Sequence, residues 1–239
     1  RYGTVTGVQT CALPICTDIS EFATTQISTL STTQIGSLTT TNLSALDASQ
    51  IGSLSTTQVS GLTTTQLSNL TTTDISEFTS TQVGRLSAVQ IGALSTTNFS
   101  ALDATQMSGL TTTQVSGLST TVVSSLNETD VGEFSTTQLG ALSATQVGSL
   151  TSTAFSALDA TQIGSMSITQ LRGLTTTQIN GLSTSDVNEF TSTQVGSFST
   201  TQLGAFSTTN INTLDTTQLG GLTSTQLGKL SSTNLSALD

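Results

Sequence analysis

Eight carboxylates in four pairs are the side chains best placed to do chemistry: Asp18/Glu21, Asp74/Glu77, Asp130/Glu133 and Asp186/Glu189. Each pair is spaced i, i+3, which puts both groups on one helix face. Such a face can contribute to a calcium site, where six to eight oxygens are needed. Backbone carbonyls, hydroxyls and water would have to supply the rest, and no EF-hand loop is present. The same pattern also suits solvated acidic rungs copied by duplication, and that reading takes precedence. General acid–base work needs two carboxylates in opposed environments, which a uniform repeat does not offer. Serine is abundant, but the chain has no His, and its two Cys lie outside the repeat, so nothing activates a hydroxyl. The residues therefore point away from an enzyme, with no catalytic residue and no obligatory cofactor.

The elements that hold these carboxylates are set by a repeat. From Phe22 to Leu238 every eighth residue is Leu, Phe or Met, giving 28 apolar posts around 27 octads. A second apolar column runs three residues before each post, from Ile27 to Leu235. Fixed-period self-similarity of this kind marks a solenoid. A longer period of 56 residues is superimposed. It carries the four acidic pairs and the Leu-Asp steps at Asp47, Asp103, Asp159 and Asp215.

One octad, Ser31-Thr-Thr-Gln34-Ile35-Gly-Ser-Leu38, shows the local logic. Ser followed three residues later by Gln is a capping box, in which the hydroxyl and the Gln side chain each bond the other residue's backbone N–H. From Ser31 to Asp239 the first position holds only Ser, Thr, Asp or Asn, the leading N-cap residues. Small residues at positions six and seven end the turn. A single such turn is unstable alone because nucleation is costly. The octads must stack, which predicts an all-α solenoid of very short capped helices, one per octad. The competing arrangement is a β-solenoid with an eight-residue repeat. Thr fills the third position except at Ser49, Val89 and Ser185, and Thr is a strand former. Apolar spacings that alternate three and five oppose a flat strand. An ice-binding Thr ladder, suggested by runs such as Thr40-Thr41-Asn42 and Thr64-Thr65-Gln66, requires that β arrangement.

Composition narrows the partners. Net charge is −10 with four basic residues, which repels phosphate backbones and predicts no nucleic-acid binding. No apolar run approaches the roughly 20 residues of a membrane helix, so membrane insertion is not expected. Surface glycans or self-association fit a hydroxyl-rich repeat better. Sequons at Asn42, Asn69, Asn98, Asn127 and Asn234 carry little weight in a chain so rich in Ser and Thr.

Residues 1–16 differ from everything after them: they hold both Cys, the only Pro and the only Tyr. Val5–Ile15, VTGVQTCALPI, resembles a reading frame of a short sequencing adapter. This segment is expected to be non-native and outside the fold, with 17–239 a continuous octad array truncated at both ends. The octads themselves, LTTTQI and LSTTQV, are similar to the Leu-Thr-Thr-x-Gln-Ile repeat regions of large bacterial surface or secreted proteins, regarded as adhesin-like. That resemblance implies an extracellular structural or adhesive spacer without catalysis. A ligand-binding repeat module for calcium, glycan or ice is the other expectation.

Overall fold

The computed structural model describes residues 19–236 and Leu238. Residues 1–18, with Asp18 and the adapter-like segment, lie outside the described residues, as do residues 237 and 239. A 3-10 turn at Ile19–Glu21 leads into 27 α-helices of four to six residues, one per octad. Among the described residues there is no strand, so the β-solenoid alternative is not adopted. The reason lies in the first position. Each N-cap residue from Ser31 to Ser231 has extended backbone, and its side chain accepts the N–H of the residue three on, as in Gln58 N–H to Ser55 Oγ at 3.2 Å. That interaction requires a helical turn and explains why only capping residues occupy the column.

Many of the helices are closed at their other end by a small polar residue, while others, such as Thr136–Gly140, end on Gly and Ala. Ser at position six or seven turns its hydroxyl back onto the carbonyl three residues earlier, as Ser60 Oγ does to Thr57 at 2.7 Å. This satisfies a carbonyl that a short helix otherwise leaves without a partner. The chain then bends into the next cap, and no described residue takes a positive φ.

The two apolar columns form one continuous core. From Ile27 to Ile211 position five is enclosed, as at Ile35, Val59, Leu139 and Ile179, each 0% exposed. Position eight packs beside it from Leu46 to Leu214. Consecutive posts Phe190, Phe198 and Phe206 stack edge to face, with ring centroids 5.3 and 5.5 Å apart.

Helices contact those three octads away, such as Thr24–Ile27 against Ala48–Ser53 and Thr120–Ser125 against Ala144–Ser149. Side-chain hydrogen bonds reach four octads away, across 28 and 31 residues. Each octad thus sits across its predecessors three and four back, and a superhelical turn takes between three and four octads. Three octads followed by four make seven, so the 56-residue period corresponds to about two turns. Residues repeated at that period return to the same side of the superhelix.

Where coils approach most closely, glycine is required. A Cβ on Gly61 would lie 2.9 Å from both Cβ and O of Thr32, and one on Gly36 would lie 2.8 Å from the carbonyl of Gly61. These approaches bring backbone against backbone, which only glycine allows. Gly140 has open space at the same point.

Candidate functional site

Two features of the superhelix carry polar chemistry: a buried glutamine column and three clusters of carboxylates. Gln at position four does more than complete the capping box. In Gln114, Oε1 accepts the N–H of Thr111 at 2.6 Å. Its Nε2 donates to the carbonyls of Val83 at 2.8 Å and Leu86 at 2.6 Å, 31 and 28 residues earlier. Gln58, Gln66, Gln82, Gln106, Gln138, Gln170, Gln178 and Gln202 repeat this clasp on the corresponding carbonyls. One side chain therefore starts its own helix and closes the C-terminal end of a helix one turn below. The sequence reading assigned only the first role. A signal for the second was present: Glu completes a capping box as well as Gln does, yet Glu never occupies the column. A carboxylate has no N–H to donate, and the three Asp that do hold the column, Asp74, Asp130 and Asp186, complete the box without making the clasp.

Asn is too short to serve both ends. Asn98 and Asn210 each donate to a single carbonyl, Leu70 at 2.6 Å and Leu182 at 2.9 Å. Neither forms the reciprocal box. Val122 and Ala154, the two apolar members, make no clasp.

The carboxylate pairs take their place in the same frame. Asp74, Asp130 and Asp186 occupy position four, buried, and each accepts the N–H of its N-cap residue. Asp74 also accepts a hydrogen bond from Ser44 Oγ at 2.7 Å, four octads back. Glu77, Glu133 and Glu189 follow at position seven, where their helices end. The superhelix adds a third carboxylate that the pair spacing does not reveal. The N-cap residues Asp47, Asp103 and Asp159, three octads earlier, lie close enough to act on the same glutamates. Burial pushes the carboxyl of Glu77 above the usual range, and the charges of Asp74 and then Asp47 push it further. Glu133 is raised by burial, Asp130 and Asp103, and Glu189 by burial, Asp186 and Asp159. One oxygen of Glu77 and one of Glu189 are buried without a hydrogen-bond partner. The two sequence periodicities, acidic pairs and Leu-Asp steps, thus meet in space as one triad per seven octads. Glu21 is exposed, and its partner Asp18 lies outside the described residues.

Among the described residues, no group of three such side chains is arranged to hold a metal ion. No described helix is long and apolar enough to cross a membrane. The third position is exposed in every octad from Thr25 to Thr233, so the Thr column covers the outside of helical coils and does not form a strand ladder. The grooves between coils, at Thr32/Gly36/Gly61 and at Thr176/Asn180/Phe206, are open and contain no titratable side chain. Of the sequon asparagines, Asn42, Asn98 and Asn234 are buried. Asn69 and Asn127 are exposed, and both already serve the backbone, Asn69 through Thr65 O and Asn127 as an N-cap.

This geometry is that of a repeat in which most octads are bound to a coil below by the same position-four glutamine. Residues 167–200 and 197–232 match the family model of the ALTTAQ repeat. The Leu-Thr-Thr-x-Gln core of that name occurs here as Leu174-Thr175-Thr176-Thr177-Gln178. The ALTTAQ-like stretch contains six members of the clasp column, from Gln170 to Gln226. No curated protein sequence matches the chain.

Proposed function

We propose that this chain is a structural spacer or adhesive repeat of a bacterial cell-surface or secreted protein, acting without catalysis. The observation that carries the reading is uniformity. From Ile27 to Leu219 each octad buries its position-five side chain or packs it at the core, and each described octad turns a hydroxyl or other small side chain outward at position three. A superhelix with one surface chemistry along its length suits extension and repeated weak contact, where avidity exceeds the affinity of any one site. Surface glycans fit such a hydroxyl face as partners.

The spacer reading predicts length in proportion to repeat number. Small-angle scattering of variants shortened by one seven-octad block at a time should show equal decreases in maximum dimension. A dimension that stays constant, or collapses after a single deletion, would overturn the reading. Calcium separates the spacer from the ligand-binding alternative. Adding calcium should leave both the far-UV circular dichroism and the melting midpoint unchanged. A rise in midpoint that disappears when Glu77, Glu133 and Glu189 are replaced by Gln would move the function to cation binding at the triads.

A further inference from the structure

Most octads are tied to the coil below by the amide at position four, and the tie depends on a side-chain N–H. Val122 has none, and neither does the carboxylate of Asp130. These two hold position four in consecutive octads, 119–126 and 127–134. Among the described octads from Gln50 to Gln226, this is the one place where two in succession lack the amide. Asp74, Ala154 and Asp186 also lack it, but each has Gln in the octad before and in the octad after. A superhelical turn takes between three and four octads, so about half of one coil sits on its neighbour without a clasp.

The octads below show the consequence. By the register of Gln114 on Val83 and Leu86, a Gln at 122 would reach the carbonyls of Ile91 and Leu94, and a Gln at 130 those of Phe99 and Leu102. Ile91 O and Phe99 O still accept the N–H groups of Leu94 and Leu102, at 3.1 and 3.2 Å. Among the described residues, no donor lies on Leu94 O or Leu102 O. Octad 119–126 is untied from above as well, because Ala154 stands where its clasp would come from. Charge acts in the same direction. Octad 127–134 carries Glu128, Asp130 and Glu133, and Asp103 acts on Glu133 from three octads back. No Lys or Arg occurs between Arg85 and Arg172, so no basic side chain of this stretch offsets them. Asp130 is 5% exposed and brings acceptor oxygens into the layer where neighbouring octads place a donor.

We infer that residues 119–134 form a joint at which the superhelix opens ahead of the coils on either side. This coil separates from octads 87–102 while the clasped coils before and after it stay closed. Such local opening has its own free energy, set by the contacts that must break and not by the stability of the whole chain. At this coil the cross-coil amide bonds are missing from that set. A superhelix with one such joint is stiff on both sides and yields at a fixed place. The joint is a property of the clasp column and stands or falls apart from the spacer role.

Amide hydrogen exchange of the full chain tests it, with octads 135–142 and 143–150 as internal reference, since Gln138 and Gln146 clasp both. The amides compared are matched. Val123 and Val131 N–H donate to their N-cap carbonyls at 3.0 and 3.2 Å, and Leu139 and Val147 N–H do so at 2.9 and 3.0 Å. All four residues are 0% exposed. Local bonding and burial are thus alike, and a difference in exchange reports opening. Exchange at Val123 and Val131 should be at least about tenfold faster than at Leu139 and Val147, the scale of one net hydrogen bond. Val122→Gln with Asp130→Gln restores both amides and should slow Val123 and Val131 to the rate of the reference pair. Equal exchange at the four amides of the parent chain would overturn the joint. So would fast exchange at Val123 and Val131 that persists in a double variant whose circular dichroism matches the parent.

Discussion

Replacing Gln114 by Glu isolates what the glutamine clasp contributes beyond capping. Glu keeps the acceptor that receives the Thr111 N–H, so the capping box survives. It loses both donors, to Val83 O and to Leu86 O. The Val83 carbonyl still receives the Leu86 N–H at 3.2 Å, whereas the Leu86 carbonyl loses the 2.6 Å side-chain bond that covers it. An unsatisfied buried acceptor costs about 1–3 kcal/mol. At 2% exposure the carboxylate is also desolvated and faces two carbonyl oxygens, which disfavours its charged form. Together these effects give a loss of about 3–5 kcal/mol near pH 7, the scale of other uncompensated buried charges. The sign with pH follows from the same cause. The folded-state pKa of the introduced Glu lies above its unfolded value, so the folded chain binds the extra proton and regains stability as pH falls. A protonated Glu donates one O–H, recovering one of the two bonds and about half of the loss. Gln114→Leu removes donors and acceptor without adding charge and should cost about 2–3 kcal/mol at every pH. Urea unfolding followed by far-UV circular dichroism, near pH 7 and again about three units lower, measures all three chains. A Gln114→Glu variant as stable as the parent near pH 7, or one whose loss is the same at both pH values, would refute the clasp.

The converse substitution should stabilise. Val122→Gln places an amide under the carbonyls of Ile91 and Leu94, and a gain of about 1 kcal/mol per hydrogen bond formed is expected in the same urea experiment. Gly61→Ala should lower the thermal midpoint, costing about 1–3 kcal/mol as the coil against Thr32 is forced apart. Gly140→Ala, with open space around its Cβ, should raise it by about 0.5–1 kcal/mol. Replacing Glu77, Glu133 and Glu189 together by Gln should stabilise the chain near pH 7 by about 0.5–1 kcal/mol per site, the scale of partly solvated charge interactions. That gain should vanish as pH falls through the ordinary glutamate value. The folded-state pKa values are raised, so the native glutamates destabilise the fold only where they are ionised. Parallel melts of parent and triple variant across that range measure it.

Much of the fold was legible because each octad encodes it locally. The cap column from Ser31 onward and the apolar residues at positions five and eight fix a short helix and its buried side without reference to the rest of the chain. The Thr column was ambiguous for a physical reason. Thr57 and Thr65 are strand formers by propensity, yet on the exposed side of a helical first turn propensity is outweighed by capping and burial. The coil period was not read, because the contacts that set it join residues 28 and 31 apart. Only the absence of Glu from the Gln114 column pointed to them. The acidic triads failed to emerge for the same reason. Asp74/Glu77 is a local pair, but Asp47 reaches it only once the superhelix brings octads three apart together. The two sequence periods that encode the triad were both visible, and their meeting point was not.

The central claim is that a superhelical turn holds between three and four octads, and a disulfide tests it most directly. A Cβ on Gly181 would lie 3.1 Å from Cβ of Ser152, 29 residues earlier. Bonded cysteines have Cβ atoms about 3.5–4.5 Å apart, a few tenths of an ångström beyond this spacing. With Cys11 and Cys16 changed to Ser, the pair Ser152→Cys with Gly181→Cys should oxidise to one intramolecular disulfide, read by thiol titration and peptide mass. The pair Ser152→Cys with Gly173→Cys, one octad out of register, should keep its free thiols under the same conditions. Two free thiols in the first pair, or bonding in the second, would contradict the superhelix.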